Sequence, residues 1–208
     1  MTEESTSNTA VTPAESEPPP SRSVVRVALR VLVMIVVAAG LLWMFGWIRY
    51  RAYYPYGYSH SCDKQLIFAL QNYADAHGGA FPAGEATPEA SLSLLYPKYA
   101  GAELLQGRSV PLEKVKAILE SGQKLGADSC GWHYVEGLKS TDDRKIAVFW
   151  DKVGLGHNGE RLSVPGHTVF YLNSSHDFIP ESQWPAFLEE QKLLHEQRIH
   201  KLKAAVAK

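Results

Sequence analysis

The stretch that decides the fold is CDKQLIFALQNYADAHGGAFP, residues 62–82. Its apolar residues recur at the spacing of one helix face, namely Cys62, Leu66, Ala69, Leu70 and Tyr73. Gly78 and Gly79 then allow the left-handed backbone that ends a helix, and Phe81-Pro82 turns the chain inward. The stretch therefore predicts an amphipathic helix whose apolar face packs against the rest of a domain.

Short helices continue this domain. Thr87 followed by Pro88 is typical of a helix start, and the apolar residues after it predict a short helix toward Tyr96. A further helix is predicted over 111–121, where Gly122 ends it. The connector between the first two helices contains no nucleophile beside a base. We therefore interpret it as a connector in a scaffold and not as a catalytic loop.

The hydrophobic period changes to that of strands after residue 130. Residues 131–137, 145–151 and 167–173 are rich in β-branched and aromatic residues and are separated by polar turns. A short fourth strand is predicted over 176–179, after a tight turn in which Asn173 can adopt a positive φ. Together with the helices, these strands predict an α+β domain over 59–182, in which an amphipathic helix packs on a small antiparallel sheet.

A C-terminal helix is predicted over 183–208. Its apolar stripe is thin, and its far half is dominated by charged and amide side chains. We expect that half to be solvated or to face a partner. Trp184 and Phe187, near its start, are expected to close the aromatic core of the sheet; the open alternative is an exposed aromatic surface.

Upstream of the domain, residues 31–48 form a run of 18 apolar residues without a charge. This run predicts a transmembrane helix over 24–50, which would insert the chain in a lipid bilayer. More arginines precede the run than follow it, which favours a cytoplasmic N-terminus and an exported C-terminal domain. A cleaved signal peptide is the alternative, but the apolar run continues well beyond the small residues at 38–40.

The segments around the span have different compositions. Residues 1–23 are rich in Pro, Ser, Thr and Glu and are predicted to be a disordered tail. Residues 51–58, rich in tyrosine, are predicted to be a juxtamembrane linker. The formal net charge of −1 gives no indication of a nucleic-acid partner.

This order of a membrane span, a helix and a hairpin set resembles the type IV pilin and type II secretion pseudopilin family. The likeness covers roughly residues 60–100 and 130–180. The residues that match the family's motifs are Tyr73, His77, Gly78, Gly79, Phe81, Pro82, His157, Gly159 and Asn173. The resemblance implies a non-enzymatic structural or interaction protein of the bacterial envelope, with a protein partner or self-association and no cofactor.

Two features of that family are missing. A short basic leader with its cleavage site is absent, and residues 31–48 contain no Glu of the kind thought to pair with a neighbouring subunit in a filament. We therefore expect an anchored protein. A processed pseudopilin subunit of a secretion or pilus filament remains the alternative.

The two cysteines, Cys62 and Cys130, predict one disulfide that ties the first helix to the strand region. Two buried free thiols, or a domain that faces the cytoplasm, are the alternatives. Zinc is disfavoured, because neither cysteine belongs to a C-x-x-C pattern.

No catalytic motif is found, and metal sites are weak alternatives. A metal site would use Asp151, His157, His167 and His176, and a membrane-anchored metal-dependent hydrolase using these residues is the third functional hypothesis. A calcium site is also possible near the C-terminal loops. Its oxygen donors would be Asp151, Asn158, Glu160 and Asp177, although they follow no EF-hand-like spacing.

Overall fold

A computed structural model describes residues 22–59 and 62–206. The predicted disordered tail therefore lies outside the described residues, except for Arg22 and Ser23, which already belong to the first helix. By its internal contacts the chain divides into two units, residues 1–47 and 48–208.

Helix α1, Arg22–Tyr53, accounts for the described part of the first unit and continues into the second. Among the described helices, α1 alone contains a stretch, Val25–Tyr53 of 29 residues, that is long and apolar enough to cross a membrane. Its described side chains are exposed throughout. The predicted 24–50 span thus corresponds to a helix that extends three residues further, to Tyr53.

The second unit is a mixed α+β domain, as predicted. After the end of α1 its helices are α2 (Asp63–Ala76), α3 (Pro88–Leu92), α4 (Ala102–Leu105), α5 (Leu112–Glu120) and α6 (Trp184–Val206). Its strands are β1 (Trp132–Tyr134), β2 (Ala147–Asp151), β3 (Gly166–Tyr171) and β4 (His176–Pro180). Short 3-10 turns follow α3 and precede α6. Of the helices, only the one-turn α4 was not predicted.

The four strands form one antiparallel sheet in the order β1-β2-β3-β4. Each strand pairs with its neighbour along the chain, and a register shift interrupts the β2–β3 pairing between Ala147 and Phe149. Within the described residues β4 pairs with β3 alone, so its outer edge is open.

Helices cover both faces of the sheet. On one face the apolar side of α2 and the short helices pack against Trp132, Phe149 and Phe170 in the main core. On the other face Phe187 of α6 packs with Ala147 and Val169, and Trp184 borders that cluster. The last helix therefore closes the second face, where Trp150 packs against its cluster, whereas the main aromatic core is closed by α2 and the short helices.

Helix α2 ends at the two glycines, as predicted. Gly78 and Gly79 have φ values of +63° and +86°. The Gly79 N–H donates to the Ala74 carbonyl at 2.7 Å, which satisfies one of the last carbonyls of the helix. The His77 ring stacks on Tyr73 with centroids 3.8 Å apart. These motif residues therefore end α2 and direct the chain back to the core.

The residues after this turn also serve packing. Phe81 is buried, and the Pro82 carbonyl accepts a hydrogen bond of 2.8 Å from the Tyr134 hydroxyl. This bond joins the connector to β1, which supports its interpretation as a structural segment.

Helix α6 docks on the domain through Gln191 and Arg198, whereas most of its far half is exposed, as expected. The Gln191 side chain is buried; it accepts a hydrogen bond from the Ala147 N–H at 2.8 Å and donates to the Lys145 carbonyl at 3.2 Å. Arg198 donates to Asp142 at 2.7 Å. Polar side chains of the helix thus make specific contacts with the domain, which its thin apolar stripe does not indicate.

The β3–β4 turn forms, but with a different residue in the left-handed conformation. Ser174 has φ +66°, whereas Asn173, for which a positive φ was predicted, does not. Instead, the Asn173 side chain accepts a hydrogen bond of 2.9 Å from the Ser175 N–H. Asn173 therefore acts through its side-chain oxygen, as in an Asx turn.

Candidate functional site

Four charged or titratable side chains form a connected network inside the second unit. They are Asp63, Arg108, Asp151 and His167. They come from the first residue of α2, the loop after α4, the end of β2 and the start of β3. Each lies at the end of an element or in a loop, where a side chain can turn toward its neighbours. The four groups connect both helical and sheet parts of the domain.

Arg108 is the centre of this network. Its side chain is 3% exposed, and its guanidinium forms an ion pair with Asp63 through Nη2. Nη1 donates to the Leu155 carbonyl at 3.0 Å and lies 3.7 Å from Asp151 Oδ2. The guanidinium also lies 5.9 Å from the centre of the Trp132 ring. A buried cation with two carboxylates is far less costly than an unpaired one.

A close approach of two glycines places Arg108 in this position. The Gly131 N–H donates to the Gln106 carbonyl at 2.8 Å. A Cβ atom on Gly131 would lie 2.6 Å from that same carbonyl oxygen, and one on Gly107 would lie 2.8 Å from Gly131 Cα. Because only glycine permits this backbone contact, the pair fixes the loop that carries Arg108 against the start of β1.

Asp151 and His167 form the second half of the network. His167 Nδ1 lies 3.0 Å from Asp151 Oδ1 and 2.9 Å from the Asp151 carbonyl, and the Thr168 N–H donates to the same carboxylate at 3.2 Å. Burial raises the pKa of Asp151, against the opposing effects of His167, Arg108 and Thr168. The hydrogen bond to Asp151 raises the pKa of His167 above its ordinary value, although burial acts in the other direction.

The other ring nitrogen decides what this pair can do. His167 Nε2 lies 3.5 Å from a carboxylate oxygen of Glu181, and the ring packs 4.2 Å from Trp184, centroid to centroid. Among the described residues, the imidazole is thus held between two carboxylates, and neither a hydroxyl nor a thiol is its partner. The imidazole thus links β2 and β3 to the 3-10 turn before α6 by electrostatic contacts, which is a structural role.

The structure brings together two of the four residues predicted for a metal site. Asp151 and His167 are in contact, whereas His176 stacks on Phe170 from β4 and His157 lies in the loop after Leu155. Within residues 22–59 and 62–206, no group of three or more His, Cys, Asp or Glu side chains is placed to hold a metal ion. The predicted four-residue constellation is therefore not assembled.

The predicted calcium donors are similarly dispersed over different contacts. Asp151 is engaged with Arg108 and His167, and Asp177 is exposed on β4. Asn158 and Glu160 share one loop, where the Asn158 N–H donates to the Glu160 carboxylate at 2.8 Å.

The predicted disulfide is absent from the structure, and Cys62 and Cys130 are free thiols. Cys62 precedes α2 and is partly exposed, whereas Cys130 is buried. The Cys130 sulfur lies 3.5 Å from the Leu105 carbonyl oxygen and 3.7 Å from that of Trp132. Burial raises the pKa of the Cys130 thiol to about 12. Cys130 thus behaves as a packed core residue.

A second feature is the loop His157-Asn158-Gly159, which contacts the segment after α1. It is a turn, as predicted, closed by the Gly159 N–H and the Gly156 carbonyl at 2.9 Å. The Asn158 carbonyl accepts from the Ser59 N–H at 3.0 Å. Arg161, just beyond the turn, donates from its backbone N–H to the Tyr53 carbonyl at 2.8 Å and from Nε to the Ala52 carbonyl at 2.9 Å. The loop therefore caps the last carbonyls of α1.

A third feature is an open cleft of about 670 Å³ between α6 and the β3–β4 hairpin. Side chains of both charges and several hydroxyl and amide groups line it. They include Arg144, Lys145, Tyr171, Asp177, Gln183 and Glu190. The cleft adjoins the open edge of the sheet, because Asp177 belongs to β4.

Sequence reasoning missed Asp63, Arg108 and Arg161. A signal for Arg108 exists, since it is one charge in the otherwise uncharged stretch LLQGRSVPL, residues 104–112. Asp63 has the position of an ordinary first-turn acid, and Arg161 has that of a loop cation. Nothing local indicates that either pairs with a segment 45 or 109 residues away.

Comparison with models of known protein families, with curated proteins and with solved structures finds no significant match to this chain. The pilin-like resemblance remains an expectation from the motif residues.

Proposed function

We propose that this chain is a single-pass, membrane-anchored structural or interaction protein of the bacterial cell envelope, with a pilin-like domain and no enzymatic role. The observation that carries the proposal is the capping of α1 by Arg161. The same helix contains the 29-residue apolar stretch Val25–Tyr53. A domain that holds the end of such a helix with its own loop is suited to remain at the membrane surface.

The charge distribution around α1 supports an exported domain. Arg22, Arg26 and Arg30 precede the apolar run, and Arg49 and Arg51 follow it. Positively charged residues favour the cytoplasmic side, so the excess at the N-terminal end favours export of the domain.

The chemistry of the domain supports a structural role. Its buried ionisable groups connect α2, β2 and β3 through Arg108, and His167 is held between two carboxylates. The open edge of β4 and the adjoining cleft supply a surface for a protein partner or a second copy, because an unpaired strand edge offers free backbone N–H and C=O groups.

Anchoring and orientation are tested on the full-length chain in bacterial cells. We expect it to stay in the membrane pellet after alkaline carbonate extraction. A C-terminal alkaline phosphatase fusion should be active and a C-terminal green fluorescent protein fusion, exported in an unfolded state, should be dark. A soluble full-length protein contradicts the anchor, and the reverse reporter pattern contradicts export.

The interaction surface is tested by placing a photo-crosslinking amino acid at Asp177 on β4. We expect a discrete adduct, either with one other protein or with a second copy of the chain. The matched control carries the same group at Glu113 on α5, whose side chain is 87% exposed. Equal adducts at both positions, or none at Asp177, contradict β4 as the partner surface.

The intact mass of the membrane-extracted protein separates this proposal from a processed pseudopilin. A full-length mass supports the anchored protein. A shortened, N-methylated chain contradicts it and supports the filament subunit.

A further inference from the structure

An open groove lies at the end of α1, beside the hydrogen bonds by which Arg161 caps this helix. The groove has a volume of about 510 Å³ and lies within the second unit. Its lining combines two arginines with three tyrosines and one alanine. These residues are Arg49, Tyr50, Ala52, Tyr53, Tyr54 and Arg161. Five of them belong to the end of α1 or directly follow it, and Arg161 is contributed by the loop after Leu155.

The hydrogen bonds of Arg161 leave the far end of its guanidinium available. Its bonds to α1 use the backbone N–H and Nε–H. Within the described part of the chain, neither Nη group donates to a protein acceptor, and the residue is exposed. A guanidinium anchored through Nε and open at Nη has the geometry to donate two parallel hydrogen bonds to a phosphate.

The charge around the groove is positive. Two arginines, Arg49 and Arg161, line it. An acid near the groove is Glu160. The pKa of Tyr54 is raised by burial first, and then by Tyr53 and the Glu160 carboxylate. The Glu160 carboxylate already accepts the Asn158 N–H at 2.8 Å. Two guanidinium groups against one carboxylate favour an anionic ligand.

The tyrosines indicate where that anion would be found. The rings of Tyr53 and Tyr54 meet edge to face with centroids 4.8 Å apart, and Tyr50 packs on Tyr54 at 5.2 Å. Clustered aromatic rings of this kind at the end of an apolar helix suit the lipid headgroup region. An anion at that depth is a phospholipid phosphate.

We propose that this groove, which we call the Arg161 groove, binds the phosphate of an anionic phospholipid headgroup. The inference rests on the proposed membrane anchoring, because only a spanning α1 brings the groove to headgroup depth. It adds a specific contact to that proposal, since Arg161 has no part in the apolar span and is 109 residues away from Ala52 along the chain.

The test measures lipid retention by the full-length protein. The protein is exchanged from detergent into nanodiscs with equal amounts of phosphatidylglycerol and phosphatidylcholine, and bound lipids are counted by native mass spectrometry after release. We expect phosphatidylglycerol to be retained preferentially. The Arg161→Gln variant, which removes the charge and keeps a side-chain amide, should lower that preference about fivefold, as expected for one basic residue at an anionic surface.

Two further variants separate charge from folding. Arg161→Lys keeps the charge and should retain most of the preference, even if its cap on α1 is weakened. Lys139→Gln removes an exposed basic residue that lines neither the groove nor the cleft beside α6 and should behave as the natural protein. Equal phosphatidylglycerol preference in all four proteins overturns the proposal and leaves Arg161 as a helix cap alone.

A separate experiment tests whether the groove binds a lipid phosphate or free phosphate. Inorganic phosphate at millimolar concentration is added to the detergent-solubilised protein. If it displaces retained phosphatidylglycerol completely, the groove binds free phosphate and the lipid assignment is overturned; retention of the lipid supports it. Failure of the chain to enter these nanodiscs overturns the anchoring proposal itself, and is seen before any lipid is counted.

Discussion

Arg108 and Asp63 form an ion pair whose side chains are 3% and 11% exposed, and Asp151 lies 3.7 Å from the same guanidinium. The domain thus buries one cation between two anions that come from its first complete helix and its second strand. Such a cluster adds little to the free energy of unfolding compared with apolar side chains of the same shape. Removal of one partner, however, leaves uncompensated charge behind.

Substitution of Arg108 by methionine should therefore be severe. We expect Arg108→Met to lower the free energy of unfolding by about 3–5 kcal/mol, because both carboxylates lose their partner in a buried environment. The measurement is denaturant unfolding of the full-length protein in detergent, followed by tryptophan fluorescence. The matched control is Arg144→Met, an exposed arginine, which should change the stability by less than about 0.5 kcal/mol. Similar losses in the two variants contradict a central role for Arg108.

The pair of His167 and Asp151 predicts a pH dependence. The folded-state pKa of His167 is raised, so the folded state holds the proton more tightly than the unfolded state. The resulting stability is fully present below the unfolded pKa of about 6.5 and is lost as the pH rises through the higher folded value. His167→Gln should cost on the order of 1 kcal/mol at pH 6 and progressively less toward pH 9.

His133 serves as a control, because its pKa is shifted in the opposite direction from that of His167. Burial lowers the pKa of His133, so its contribution to stability is present above pH about 6.5 and is lost as the pH falls through the lower folded value. The difference between the natural protein and His133→Gln should therefore change in the other direction between pH 7 and pH 5. Parallel pH profiles for the two variants would be inconsistent with the two pKa directions.

Gln191 should matter more than its position on a polar helix suggests. Gln191→Leu leaves the Ala147 N–H and the Lys145 carbonyl without their side-chain partner, and the first of these lies in the buried strand β2. An unsatisfied buried polar group costs about 1–3 kcal/mol, so we expect a loss in that range. The control is Gln197→Leu, an exposed amide two turns further along α6. Thermal unfolding of both variants gives the comparison, and an unchanged Gln191→Leu protein would show that α6 does not dock as described.

The contact between Gly131 and Gly107 is tested by one added methyl group. In Gly131→Ala the new Cβ would lie 2.6 Å from the Gln106 carbonyl oxygen, a contact that requires the backbone to move. We expect a destabilisation of about 1–3 kcal/mol from this overpacking. Gly126→Ala meets its first neighbour at 3.7 Å and should be tolerated. Equal midpoints of denaturation for the two variants would show that the loop carrying Arg108 relaxes without cost.

The two thiols should differ in reactivity. The pKa of Cys130 is raised to about 12, so at pH 8 its thiolate is scarce as well as buried. Iodoacetamide should label Cys62 in the folded protein and Cys130 only after unfolding. Mass spectrometry without reductant gives the count of labelled sites. Absence of label at both positions in the unfolded, unreduced protein would restore the disulfide that the sequence predicts.

Most elements of the fold follow from local patterns. The helix period of residues 62–73 and the two glycines after it predict α2 and its end, and aromatic and β-branched stretches predict all four strands. These signals depend on neighbours a few residues apart, so they can be read along the chain. The one-turn α4 was missed because four residues are too few to show a period.

The buried charges could not be predicted in the same way. Arg108 pairs with Asp63 at a separation of 45 residues, and Asp151 with His167 at a separation of 16. Such pairs depend on how the sheet and α2 are placed in three dimensions. The four candidate metal ligands were grouped by proximity in sequence, and the fold brings only two of them, Asp151 and His167, together.

The cap on α1 also has a consequence for the order in which the chain is made. The carbonyls of Ala52 and Tyr53 emerge from the ribosome long before Arg161, whose Nε–H is 109 residues downstream of Ala52. Until Arg161 has been synthesised, those carbonyls lack the partner that they have in the folded domain. The end of α1 is therefore closed late in biosynthesis, when much of the domain has already left the ribosome.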